Sequence, residues 1–418
     1  MLIYVIVRVA SFMQYVSGFN CTYDEVTGYS QCYDGSAIDD PYEAFPSDPN
    51  NRPVGGSTNI AYMLTISKCP EDVTSLTNPT VDNNIYYDTY AICRHAICGI
   101  STSSEELILG APPNTKYDYT MYAAIHPDAT VCPAPNGAKI DMVTTLMDLG
   151  YYPKVWNEPV LATSVADEYL KTNLPNDVGF EDLVKLHAFR MTQHPLVMLV
   201  EPTTIMLQPI DEIYDSLLAD NGKAAYAKRL ENNLIDMGSM IIKPSLTEFE
   251  AVVDAFHNTP YTAENGWDGT GIGAGGPGSG GMGTQGFLTY YFEGNPSPPG
   301  HISTDKCVYA NDMSAGCSTK TIEQVKIATL STNCPPAWKC DDAGEESQLC
   351  IDFHREWVKK RKDFENMHWK LTPFASRKGT FDTESFQGYC SAKGKEDYNK
   401  MLGEAEVSRE QDHLKSIS

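Results

Sequence analysis

Residues 184–215 read VKLHAFRMTQHPLVMLVEPTTIMLQPIDEIYD. Between Phe180 and Thr192 the side chains of Leu183, Leu186, His187 and Met191 fall on one face at 3.6-residue spacing, which predicts an amphipathic helix. Leu196–Val200 follows as a short apolar run and predicts a buried strand. Ile205–Leu207 reads as another strand, and Ile210–Leu218 as a helix. Alternation of this kind belongs to an α/β chain with a mostly parallel sheet flanked by helices.

The pattern extends in both directions. Asn59–Ile66 and Tyr117–Ile125 are apolar runs that read as strands, Asp141–Leu149 as a helix, and Tyr152–Trp156 as a further strand. Ser245-Leu246-Thr247-Glu248 has the spelling of a capping box and opens a helix to about Phe256. A last helix is expected over 349–366, with Trp357 inward and the basic run Lys359–Lys362 on a solvated face. Residues 266–286 hold eleven glycines, which predicts a mobile loop outside the packed core. The chain divides into a signal-like segment (1–20), an extended acidic lead-in (21–56), one large domain (57–368) and a polar tail (369–418).

Composition removes several function classes. Of 418 residues, 31 are Lys or Arg and 55 are Asp or Glu, a net charge of −24. That field repels phosphate backbones, so nucleic acid is an unfavourable partner. No run of about 20 uninterrupted apolar residues is present, which argues against multi-span membrane insertion. The twelve cysteines include no CxxC pair, so a zinc ribbon is not expected. The short spacings Cys93–Cys98, Cys307–Cys317 and Cys334–Cys340 suit local disulfides in an oxidising compartment. With the signal-like amino terminus and the sequon Asn20-Cys21-Thr22, they point to the secretory pathway, either Golgi lumen or secreted. Gly271–Gly276 spells GxGxxG but follows no strand, and P-loop, GxSxG and HExxH signatures are absent.

Three ordered blocks carry a resemblance. The first is Lys185-Leu186-His187, Thr192-Gln193, Leu207-Gln208-Pro209 and Ile210-Asp211-Glu212. The second is Gly281-Met282-Gly283-Thr284-Gln285-Gly286-Phe287-Leu288; the third is Cys334–Cys340 with His354-Arg355-Glu356-Trp357. Together they resemble the family 8, glycogenin-like glycosyltransferases over about 57–368. The resemblance implies a glycosyltransferase-A-type, Rossmann-like fold. It also implies retaining transfer of a hexosyl group from a nucleotide sugar, UDP-linked, to a glycan, lipid or protein acceptor, usually with manganese. Such a site neutralises the diphosphate leaving group with a carboxylate-held cation and a lysine. Carried over, the resemblance makes Gln285 catalytic, Lys185 and Gly286 substrate-binding, and Glu201 a metal ligand.

The departures fall on the metal. Glu201-Pro202-Thr203 stands where the family has Asp-Xaa-Asp, Leu330 where it has a histidine, Pro336 where it has a lysine, and Thr284 where it has an aspartate. Thr203 and Leu330 are poor or impossible ligands for a hard cation, so weak manganese binding at best is expected. A metal-independent site needs a protein cation, for which Arg190 is the candidate nearest in sequence. Two readings follow: a transferase with a reduced or absent metal site, and a non-catalytic binding or scaffold protein on the same fold.

Overall fold

The computed structural model describes the backbone of 19–24 and 29–34, and residues 59–69 and 115–357 apart from 134–138, 149–150, 220–221, 230–231, 332 and 336–346. Residues 1–18 of the signal-like segment, Cys93 and Cys98, Cys340, Lys359–Lys362 and the 369–418 tail lie outside the described residues. Within the lead-in, Phe19–Asp24 and Tyr29–Asp34 pair as antiparallel strands.

The strands used below are β1 (Asn59–Ile66), β2 (Asp118–Ile125), β3 (Tyr152–Val155), β4 (Val197–Val200), β5 (Thr204–Met206), β6 (Ala224–Tyr226), β7 (Ile241–Ile242), β8 (His301–Ser303) and β9 (Ile327–Thr329). The helices are α1 (Met142–Asp148), α2 (Asp211–Ala219), α3 (Leu246–Asn258) and α4 (Thr284–Thr289). Seven strands form one sheet in the order β8-β6-β7-β4-β1-β2-β3. β4, β1, β2 and β3 are mutually parallel, as are β6 and β8, and β7 runs antiparallel between β4 and β6. The fold is therefore mixed α/β with a mostly parallel sheet. The order β3-β2-β1-β4 opens a doubly wound sheet, and its direction of growth reverses between β1 and β4.

The two-residue alternation of β1 builds both cores. Ile60, Tyr62, Leu64 and Ile66 join one apolar cluster with α1, α2 and the 348–357 helix, where Trp357 is buried as expected. Ala61 and Met63 face the other cluster, with Leu183, Phe249, Val252 and Phe287. Ser245 Oγ caps α3 by accepting from Glu248 N at 3.4 Å. The reciprocal half of the box is not made, because Glu248 Oε1 instead accepts from Tyr291 Oη at 2.7 Å and Ser245 N donates to Phe189 O.

Three expectations are corrected. Phe180–Arg190 is wound as a 3-10 helix, and it is not amphipathic: Asp182, Val184, His187 and Arg190 are buried along with its leucines. It lies between the sheet and α3, so each of its faces meets protein. The glycine-rich segment is not outside the core. Trp267 and Met282 are fully buried, Trp267 Nε1 donates to Gly281 O at 2.8 Å, and Tyr261 Oη reaches Gly273 O and Gly275 O at 2.7 Å each. Glycine is needed because backbone packs on backbone: a Cβ at Gly281 would stand 1.9 Å from Gly273 O. Finally, Cys334 is bridged to Cys350 rather than to Cys340, while Cys307–Cys317 pairs as expected and Cys69–Cys132 forms a third bridge. The pairing of 334 with 350 follows from the 348–357 helix packing beside the 331–335 segment.

Candidate functional site

Glu201 directly follows β4, beside the point where the sheet order reverses; in such sheets ligands bind outside the carboxyl ends of the strands. A tight turn follows, with Thr204 N donating to Glu201 O at 2.9 Å, and β5 then pairs antiparallel with β9. Leu330, just past β9, donates its N–H to Thr203 O at 2.9 Å. Glu201, Thr203 and Leu330, the positions matched to metal ligands by resemblance, thereby line one cleft of about 680 Å³. The same cleft takes Arg229, Asp236, Asp312 and Thr329, none of which was singled out from the sequence. Arg229, Asp236 and Asp312 come from loops and Thr329 from the end of β9, one residue each, with no spacing signal to mark them.

Asp236 caps the short Met237–Ser239 turn through Gly238 N, 3.1 Å from Oδ1. Its Oδ2 lies 3.5 Å from Arg229 Nε and has no hydrogen-bond donor. The carboxylate is 1% exposed and the guanidinium 30%, so Arg229 stands between Asp236 and the solvent of the cleft. Gly238 keeps this corner narrow: a Cβ there would meet Thr204 Oγ1 at 2.6 Å, and Asp236 Oδ1 and Glu201 Oε2 at 3.5 Å each. Asp312 is a buried ion pair with Lys306, Nζ to Oδ2 2.8 Å. Burial works against its charge, but Lys306 and Ser314 hold its carboxyl below the usual carboxylate range.

Burial pushes Asp236 up to about 6, helped by Glu201 and Asp312 and opposed by Arg229 and Gly238 N–H. Because the folded value exceeds the unfolded one, the native state binds the extra proton between about pH 4 and 6, and stability falls as pH rises through that window. Asp236→Asn, which keeps the Oδ1 acceptor for Gly238, is therefore expected to gain on the order of 2–3 kcal/mol relative to the parent near pH 7.5, and little near pH 4. Urea denaturation at the two pH values measures it; an equal effect at both would contradict the assignment.

The other sequence-predicted residues lie away from the cleft lining. Lys185 Nζ is bound to Asp182 Oδ1 at 2.7 Å, both mostly buried. Burial disfavours the ammonium, but Asp182 and Glu201 outweigh it and raise Lys185. Asp182 Oδ2 also accepts from Thr284 N at 3.0 Å. Gln285 Nε2 donates to Ile235 O at 2.7 Å and so fixes the backbone just before Asp236. Gly286 is buried in α4, where a Cβ would stand 2.0 Å from Gly281 O. Residues 266–286 contribute nothing to the lining of this cleft. Arg190 is likewise corrected: its guanidinium lies 4.8 Å over the Trp156 ring and 5.9 Å over Phe249, and Arg229 is the cation the cleft presents.

A divalent cation does not fit the donor set. Thr203 and Leu330 replace two of the ligands, Asp236 faces Arg229, and Asp312 is spent on Lys306. Among the described residues, the one group of three potential ligands within 4.8 Å of one another is Cys334, Cys350 and His354. Its two sulfurs are bonded to each other and are not available to a metal.

No family model matches the chain, and no curated protein sequence does. Among solved structures, the apo-form glycosyltransferase GlyE of Streptococcus pneumoniae TIGR4 is similar at 10% identity and TM-score 0.40, covering 75% of this chain and 63% of that one. The galactosyltransferase LgtC, in complex with donor and acceptor sugar analogues, is similar at 8% identity and TM-score 0.37, over 78% of this chain and 100% of the other. Mouse xyloside xylosyltransferase 1 in its apo form is similar at 11% identity and TM-score 0.33, over 67% and 99%. The chain thus spans less than two thirds of the first of these structures.

Proposed function

We propose that this chain is a glycosyltransferase-like protein whose cleft holds a nucleotide sugar, UDP-linked, and passes its hexosyl group to a glycan, lipid or protein acceptor with retention. In that reaction the bond from the anomeric carbon to the diphosphate oxygen breaks and one to an acceptor oxygen forms. The reading is carried by one observation. Leu330, distant in sequence from Glu201 and Thr203 but matched to the same site by the resemblance, lines the same cleft as they do at the carboxyl end of β4. Three disulfides support an oxidising compartment and hence the secretory pathway. Among the described residues no helix is long and apolar enough to cross a membrane.

The second reading, a binding or scaffold protein, is favoured by Leu330, an apolar side chain 2% exposed at a position the resemblance gives to a ligand. Release of UDP from UDP-hexoses on transfer separates the two, and calorimetry with UDP and UDP-hexoses tests the donor site both would share. Saturable binding is expected, and Glu201→Gln should alter it. Absence of binding by every nucleoside diphosphate tested, with and without manganese, would leave only the scaffold.

A further inference from the structure

Two of the three carboxylates at this cleft already have a protein cation beside them: Asp236 has Arg229 at 3.5 Å and Asp312 has Lys306 at 2.8 Å. A divalent ion gains affinity from uncompensated anionic oxygens, and these oxygens are compensated. What the cleft offers instead is a guanidinium, 30% exposed and backed by a buried carboxylate. It also offers Thr329, 3% exposed, whose Oγ1 has no hydrogen-bond partner. A buried hydroxyl without a partner is a destabilising feature unless something supplies one. Planar, bidentate donors such as guanidinium match phosphate oxygens well.

Building on the nucleotide-sugar reading, we propose that the cleft takes the donor's diphosphate on Arg229, with Thr329 Oγ1 as a second contact, and needs no divalent metal to do so. Asp236 acts as a positioning residue, holding the guanidinium toward the cleft. The arrangement puts into the chain the positive charge that the leaving diphosphate requires.

The test is calorimetric titration of the full chain with UDP and with uridine, in EDTA and in manganese. UDP should bind with the same affinity in both. Arg229→Gln should weaken UDP at least about tenfold, the loss of one hydrogen bond to a charged group, and leave uridine binding unchanged. Arg229→Lys should recover part of the loss, and Thr329→Val should weaken UDP by about tenfold, since its hydroxyl also donates to a charged group. If Arg229→Gln unfolds, the neutral pair Arg229→Gln with Asp236→Asn removes the uncompensated carboxylate and serves in its place. UDP binding that appears only with manganese, or that ignores Arg229, overturns the inference while leaving the nucleotide-sugar reading in place. Failure of UDP to bind under either condition overturns both.

Discussion

Lys185→Ala is expected to lose roughly 3–5 kcal/mol of folding stability, as breaking a buried ion pair does. The lysine is 16% exposed and its partner Asp182 11%, with 2.7 Å between them. Alanine would leave Asp182 with the Thr284 donors and no opposite charge beside it. The pair neutralised together, Asp182→Asn with Lys185→Met, should lose less than Lys185→Ala alone, since no buried charge is then left unmatched. Burial opposes the charge on Asp182, but Lys185 and the Thr284 donors hold its carboxyl low, so its contribution is complete above about pH 4 and is lost as pH falls through the lowered value. Lys185 is raised, so its contribution is complete below about pH 10 and is lost as pH rises through the raised value. The cost of Lys185→Ala should therefore be full near neutral pH and shrink toward about pH 5, where the stranded Asp182 can be protonated instead of carrying an unmatched charge. Guanidinium denaturation across that range decides it. A loss under about 1 kcal/mol would mean that the ammonium is not committed to Asp182, and would return Lys185 to candidacy as a donor contact.

The sheet was legible from sequence because its strands are contiguous apolar runs: β1, β2 and β4 fall within a residue or two of the expected limits. The 3-10 winding of 180–190 was not, since a 3.6-residue helix and a three-residue one both bring i and i+3 together. Burial on all sides was hidden too, because Asp182 and Arg190 look like solvent-facing residues until Lys185, Thr284 and Trp156 are seen against them. The glycine-rich segment misled through composition. Glycine buries little side chain, yet Gly273 and Gly281 allow a backbone contact that any Cβ would block, and Trp267 closes over it. At the candidate site, the resemblance singled out Glu201, Thr203 and Leu330, which line one cleft. Arg229, Asp236 and Asp312 carry no motif; only the fold gathers them.

Of the three bridges among the described residues, removing Cys69–Cys132 is expected to cost most. It joins residues 63 apart in sequence, against 10 for Cys307–Cys317 and 16 for Cys334–Cys350. In the chain-entropy account the constraint on the unfolded state grows with the closed loop, giving about 4 kcal/mol for the long one and about 3 kcal/mol for each short one. Structure adds to the long loop's importance: Cys69 follows β1, the centre of the sheet, and Cys132 lies in the Val131–Pro133 strand that pairs with Lys139–Asp141 ahead of α1. Comparing Cys69→Ala/Cys132→Ala with Cys307→Ala/Cys317→Ala isolates the loop effect, because each bridge has one fully buried and one partly buried cysteine and the lost side-chain burial largely cancels. Denaturation of the two double variants should show the first less stable than the second, and both less stable than the parent. A smaller loss for the long loop than for the short one would show that the chain across 69–132 is already constrained when unfolded, or that native-state strain, not loop entropy, sets the contribution of these bridges.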